Sequence, residues 1–132
     1  MTALTQAYRP YITPIFDRKP KSVSALYVET LTSYTDMVVV VEAGSRRQVT
    51  SLAEHMIKTF KGSGIKALGV EGVKEGEWAL LDYGHIIIHV FESGAKEFYD
   101  IEGLWSDAPK VDLSEFGTPS SQDDEDEGDD DF

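Results

Sequence analysis

Four consecutive valines, Val38 to Val41, preceded by Met37, constrain the fold of this chain more than any other feature. Successive side chains of a strand point to opposite faces, so an unbroken apolar run leaves neither face to solvate. Such a strand has to lie inside a sheet that is covered on both sides. Val23–Val28 (VSALYV) reads as a preceding strand. Leu31–Asp36 between the two is too short for a crossover helix, which predicts an antiparallel pair. Ser45 then caps a helix expected to run to about Phe60. Its apolar positions Val49, Leu52, Ala53, Met56, Ile57 and Phe60 step by three or four and draw one stripe, and Gly62-Ser63-Gly64 stops it. After a short segment at Ala67–Glu71, Trp78–Asp82 and Ile86–Phe91 read as strands joined by a tight turn, and Ala95–Leu104 as a helix.

The ends have a different character. Residues 1–21 carry Pro10, Pro14 and Pro20 among basic side chains, which predicts an arm or a broken short helix, because proline removes a backbone donor and clashes with the preceding turn. Hydrophobic periodicity is lost after Ala108, and residues 109–132 are expected to form a disordered acidic tail. That tail dominates the charge. The 132 residues hold 12 Lys and Arg against 24 Asp and Glu, for a net −12, but Asp123–Asp131 alone supplies eight acids, leaving −4 on residues 1–122. One domain, residues 22–108, is therefore expected between the two ends.

Several chemistries are disfavoured at once. No stretch of the body offers an obvious basic footprint, which argues against a nucleic-acid backbone as the primary ligand. The absence of cysteine removes disulfides, thiolate metal ligands and thiol nucleophiles. Met1–Pro20 lacks the unbroken apolar core of a signal peptide, and no apolar run approaches the ~20 residues that span a bilayer. A soluble, cytoplasmic protein is expected, with no membrane partner.

If Tyr83-Gly84 forms a two-residue turn, Asp82 opposes His85, Leu81 Ile86, Leu80 Ile87, Ala79 Ile88 and Trp78 His89. One face then holds Ala79, Leu81, Ile86, Ile88 and Val90, the floor of a core. The other holds Trp78, Leu80, Asp82, His85, Ile87, His89 and Phe91, a mixture of large apolar groups and polar tips. Hairpin geometry leaves two readings of this second face open: a recognition surface, or a layer covered by the Ala95–Leu104 helix. His85 and His89 lie ~13 Å apart along a strand, too far to share one zinc. Gly62-x-Gly64 lacks the Lys and Ser/Thr of a phosphate loop. Gly44-Ser45 after a buried strand is similar to the start of a nucleotidyltransferase site, but the acids that would hold magnesium, Glu75 and Glu77, lie in a Gly-rich loop.

Taken in order, Gly69-Val70-Glu71-Gly72, Trp78, Leu81-Asp82-Tyr83-Gly84, His89-Val90-Phe91, Glu97-Phe98-Tyr99 and Leu104-Trp105-Ser106-Asp107-Ala108 resemble the ribosomal silencing factor family, also called the Iojap family. Thr32-Ser33, Asp36, Gly44 and Arg47-Gln48-Val49 extend the resemblance upstream, so that it spans roughly Lys21 to Ala108. It implies an α/β fold with a mixed β-sheet flanked by helices, nucleotidyltransferase-like but without a catalytic metal site. It also implies a cytoplasmic factor, not an enzyme and without cofactors. Such a factor would bind the large ribosomal subunit through that subunit's ribosomal protein number fourteen and block association with the small subunit. Contact with rRNA would be at most peripheral, and self-association into a homodimer is a family property. The chain departs from the family pattern at His85, where Asp is common, and at Glu42-Ala43-Gly44, where Cys-Ser-Gly is common. The Gly44–Arg47 connection is also one residue shorter, and prolines replace much of the first helix.

Together these readings place the ribosomal-protein-binding surface on the mixed hairpin face. Trp78 is the expected apolar anchor, surrounded by Leu80, Ile87 and His89, with Asp82, Tyr83 and His85 as polar contacts. Truncating Trp78 is expected to abolish large-subunit binding with the fold intact. Tyr99 and Trp105, though part of the family pattern, can equally pack against the sheet. A nucleotidyltransferase-like enzyme and a structural homodimer without a ribosomal role are the alternatives. The tail reads as a solvated linker.

Overall fold

The computed structural model describes residues 3–116, the side chains from Ala7 onward. A helix, α1 (Ala3–Phe16), precedes β1 (Ser22–Tyr27) and β2 (Met37–Ala43). Helix α2 (Arg46–Gly62) leads to β3 (Gly69–Glu71), β4 (Trp78–Asp82) and β5 (Ile86–Glu92). Two short helices, α3 (Ser93–Tyr99) and α4 (Ile101–Leu104), and a 3-10 turn at Ser114–Phe116 follow. The five strands form one mixed sheet in the order β1-β2-β5-β4-β3. β1 and β2 are antiparallel, as their short link requires, whereas β2 and β5 run parallel from Met37 opposite Ile86 to Ala43 opposite Glu92. The valine strand therefore occupies the interior of the sheet, with Val39 and Val41 fully buried on one side and Val38 and Val40 on the other. An α/β fold with a mixed sheet flanked by helices is what the structure shows.

Helix α2 lays Val49, Leu52, Ala53, Met56 and Phe60 on the sheet, starting at Ser45, whose hydroxyl accepts the Gln48 N–H at 3.1 Å. The N-terminal segment differs from the broken arm expected of it. α1 continues through Pro10 and Pro14 and buries Tyr8, Tyr11, Ile12 and Ile15 in the same core. Two interior prolines cost a helix about 3 kcal/mol each. Four large side chains leaving water return about 1.5–3 kcal/mol apiece, which offsets that cost. Pro10 is exposed, so Pro10→Ala restores a backbone donor without opening a cavity. Allowing for the freer unfolded chain, it should raise unfolding stability by about 2 kcal/mol in urea.

The hairpin register differs by two residues from the expected one: Trp78 faces Phe91, Ala79 Val90, Leu80 His89, Leu81 Ile88 and Asp82 Ile87. The turn is centred on Gly84-His85, flanked by Tyr83, whose N–H donates to the Ile86 carbonyl at 3.0 Å. Gly84 supplies the positive φ, +89°, and Asp82 Oδ1 accepts its N–H at 2.8 Å, which draws the bend one residue later. Because the slip is even, every strand residue keeps its face.

The other sheet face is partly roofed by α3 and α4, with Leu26, Val28, Val38, Val40, Phe91 and Ala95 enclosed by Trp78, Ile101, Trp105 and Ala108. The single helix expected over Ala95–Leu104 is broken at Asp100, which takes a left-handed conformation (φ +47°) and accepts the Gly103 N–H to start α4. Order extends past Ala108, against the expectation of a tail from residue 109. Tyr27 donates to the Pro109 carbonyl and Val111 to that of Ala25, while Val111, Leu113 and Phe116 pack on the main core. The acid-rich stretch itself lies outside the described residues.

Candidate functional site

The part of the second sheet face that α3 and α4 leave open is built around Trp78. Its indole ring sits 4.5 Å from Tyr99, 5.0 Å from Phe91 and 5.8 Å from His89, centroid to centroid. Phe91 is fully buried and Trp78 half-buried, and Tyr99, at the end of α3, is 40% exposed. Leu80 and Asp82 continue the face along β4, both partly accessible, with Glu71 of β3 opposite Leu80 in register. The helices α3 and α4 therefore cover the end of this face at Phe91, and the Trp78–Leu80–Asp82 row is partly accessible.

His89 lies beside that row, opposite Leu80. Trp78 Nε1 donates to His89 Nδ1 at 3.0 Å, and since an indole nitrogen only donates, the imidazole is neutral with its proton on Nε2. Burial lowers its pKa from 6.5 to about 4. A His whose folded pKa is depressed binds fewer protons folded than unfolded between pH 4 and 6.5, so stability falls as the pH is lowered through that window. The loss from this group should reach on the order of 3 kcal/mol by pH 4. Replacing His89 with Gln should flatten that part of the urea-unfolding profile; an unchanged slope would show that His89 does not carry it.

Not every residue expected at the site is there. Tyr83 points to the opposite side of the sheet, 6% exposed, its ring perpendicular to Phe60 at 5.1 Å, and burial raises its phenol to about 12. It is a core residue and not a polar contact. His85 is exposed, but its ring lies 5.2 Å from Tyr11 and 5.6 Å from Tyr8, over α1 and away from Trp78. Ile87 is 2% and His89 8% exposed, so both sit beside the open row on β5 but are covered. Trp78, Leu80 and Asp82 remain as accessible members, and Asp82 already spends one carboxylate oxygen on the Gly84 turn.

Sequence reasoning missed two exposed apolar side chains on the short helices. Phe98 is 79% exposed, packs edge-on to Tyr99 at 5.0 Å, and so extends the aromatic surface outward; Leu104 of α4 is 70% exposed. The signal was present, since consecutive residues of a helix point ~100° apart and Phe98 and Tyr99 cannot both face the sheet. Gly72 was missed too. Its φ is +77°, and a Cβ there would sit 2.0 Å from the Trp78 carbonyl oxygen. The β3–β4 loop thus crosses directly over the backbone that carries the anchor.

Among the described residues no group of three or more His, Cys, Asp or Glu is placed to hold a metal ion. No helix among them is long and apolar enough to cross a membrane.

Residues 5–131 match a family model described as ribosomal silencing factor during starvation. The match takes in both the proline-bearing segment and the acidic one, which the residue motifs leave outside. A ribosomal silencing factor of Halalkalibacterium halodurans is 30% identical over 102 residues, 77% of this chain and 87% of that protein. A crystal structure from Chromobacterium violaceum superposes with a TM-score of 0.74 at 32% identity, covering 80% of this chain and 88% of that one. A mouse protein named mitochondrial assembly of ribosomal large subunit protein 1 is 26% identical over 76 residues, 55% of this chain and 33% of its own.

Proposed function

The chain belongs to the ribosomal silencing factor family, which acts on the ribosome to silence translation, and from that premise we propose that it docks on ribosomal protein number fourteen of the large subunit. Seated there, it blocks association with the small subunit. The observation that carries this reading is the open aromatic surface of Trp78, Tyr99 and Phe98 beside Leu80, with carboxylates at Glu71 and Asp82 along the same row. Exposed aromatics with a polar rim form the usual centre of a protein interface. An acidic rim suits a basic ribosomal protein and repels RNA phosphates. The large subunit is also the one that the mouse relative is named for.

This is a binding protein of the cytoplasm rather than an enzyme. Uptake of a nucleoside triphosphate in the presence of magnesium, measured by calorimetry, would contradict that part of the reading.

Gradient sedimentation with separated subunits tests the rest. The protein should migrate with the large subunit alone and prevent joining. Phe98→Asp, at a position that packs on little but Tyr99, should leave the melting temperature nearly unchanged and weaken co-migration at least tenfold. Undiminished co-migration of that variant moves the interface off this face. If instead the free protein sediments as a dimer that large subunits do not dissociate, the aromatic surface belongs to a second copy.

A further inference from the structure

The outer side of α2 carries a line of its own. Arg47, Ser51, Glu54, Lys58 and Lys61 step by four, three, four and three, so they fall on one stripe of the helix, and all five are exposed. The stripe lies opposite the residues that α2 buries, on the side of the sheet away from Trp78. Arg18, two residues past the end of α1, is brought alongside it by His55. Its Nη2 lies 3.4 Å from His55 Nδ1, and His55 Nε2 lies 3.0 Å from Asp17 Oδ2. A guanidinium only donates, so Nδ1 accepts and the ring proton sits on Nε2, toward Asp17. The imidazole thus occupies Asp17 with one edge and positions Arg18 with the other. Here the end of α1 and the outer side of α2 form an open groove lined by Arg18, Ser51, Glu54, His55, Lys58 and Thr59.

The charge balance that matters is local. Arg18, Arg47, Lys58 and Lys61 meet two carboxylates, Glu54 and Asp17, and the second is turned to His55. Asp36 and Glu115 also reach α1, but at Tyr8 and Arg9, well before Arg18 in the chain, and Glu115 is paired there at 2.8 Å. Among the described residues no carboxylate pairs with Lys58 or Lys61. The net −12 of the whole chain does not cancel such a stripe, since at physiological salt a charge is felt over only ~8 Å. From Arg47 to Lys61 the cations span about 21 Å of helix axis. A nucleic-acid duplex carries one charge per about 1.7 Å, so several phosphates fall within that length. The groove adds the hydroxyls of Ser51 and Thr59, groups of the kind that bind phosphate oxygens and the ribose 2′-hydroxyl. It offers no Phe, Tyr or Trp on which an unpaired base could stack, which favours a duplex over a single strand.

We propose that the outer side of α2, together with Arg18, is a second contact surface that takes the phosphate backbone of double-helical RNA. That the anion is RNA rests on the ribosomal reading above, since the family acts on the ribosome. The molecule then stands between protein and RNA, with the aromatic face on one and the helix stripe, across the thickness of the sheet, on the other. The footprint is small, which fits a contact secondary to the aromatic face.

The test uses the full chain and naked RNA, so it does not depend on docking to a ribosomal protein, which sedimentation reads separately. An RNA duplex of about 16 base pairs, added at about 10 mM salt, should shift the amide signals of Ser51, Glu54, Lys58 and Lys61. Three to four phosphate contacts should give a slope of about −3 in log K against log salt. Lys58→Glu combined with Lys61→Glu, at two exposed positions, should keep the melting temperature, weaken binding more than tenfold and bring the slope to about −1. Arg18→Gln, which leaves α2 untouched, should make the slope shallower by about 1. Unmoved α2 amides at low salt, shifts centred on Trp78 and Tyr99, or variants that bind as the unmodified chain does overturn the proposal. So does a polyglutamate peptide of equal charge that moves the same amides as strongly, which would make the stripe a surface for acidic protein.

Discussion

Trp78→Ala should weaken large-subunit binding by more than about thirtyfold, the equivalent of the ~2 kcal/mol that defines a hot spot, and should also cost about 3 kcal/mol of folding stability. The second effect departs from the expectation that the fold would be untouched, and it follows from where the indole sits. Part of it is open to a partner, and the rest packs on Phe91 and Tyr99 and supplies the donor to His89 Nδ1. Removing it leaves a buried acceptor without a partner and an opening in the second core. Trp78→Phe separates the contributions. It keeps one six-membered ring for stacking and removes the N–H together with the five-membered half of the indole, so it should retain most of the binding while losing about 1–2 kcal/mol of stability in urea. If Trp78→Ala lost stability but bound large subunits as the unmodified chain does, the tryptophan would be a structural residue and the docking surface would lie elsewhere.

Gly72→Ala should be the more damaging change for the fold, although it adds one methyl group. A left-handed φ of +77° costs a residue with a Cβ about 1–2 kcal/mol. The added carbon would also have to displace the Trp78 carbonyl, which lies 2.0 Å from it. Backbone does not yield as a side-chain tip does, so β4 has to move at the residue that carries the anchor. The expected loss exceeds about 3 kcal/mol in urea, with the tryptophan fluorescence altered even in the fraction that remains folded. A loss below about 1 kcal/mol would show that the crossing of the two segments is loose.

How much of this was legible in the sequence can be traced residue by residue. Helix α2 was fully readable, because its stripe and its Ser45 cap are local features. The hairpin faces were readable although the register was not: the position of the bend turned on a side-chain hydrogen bond from Asp82 to Gly84, but an error of two residues leaves the alternation intact. α1 was hidden behind a local rule. Tyr8, Tyr11, Ile12 and Ile15 follow helical spacing, yet two prolines argue against a helix, and only the core they reach decides between the two. For the site, Trp78 and Leu80 were readable as an open row. The burial of Tyr83 and Ile87, the aromatic extension through Phe98, and the closeness of Gly72 depended on how separate segments cross.

The strand order has a consequence for how the molecule is made. β5, the last strand among the described residues, is inserted between β2 and β4, and its parallel pairing with β2 joins residues about fifty positions apart. Parallel pairing across that separation is slow, because the intervening loop has to be closed before any ladder bond forms. Until it happens the valine strand is an unpaired edge, the kind of edge that recruits other chains. A chain interrupted before Ile86 would therefore present two half-sheets with their stickiest strands outermost. Neither the aromatic surface nor the burial of His89 would exist in it, since both are assembled by the final strand.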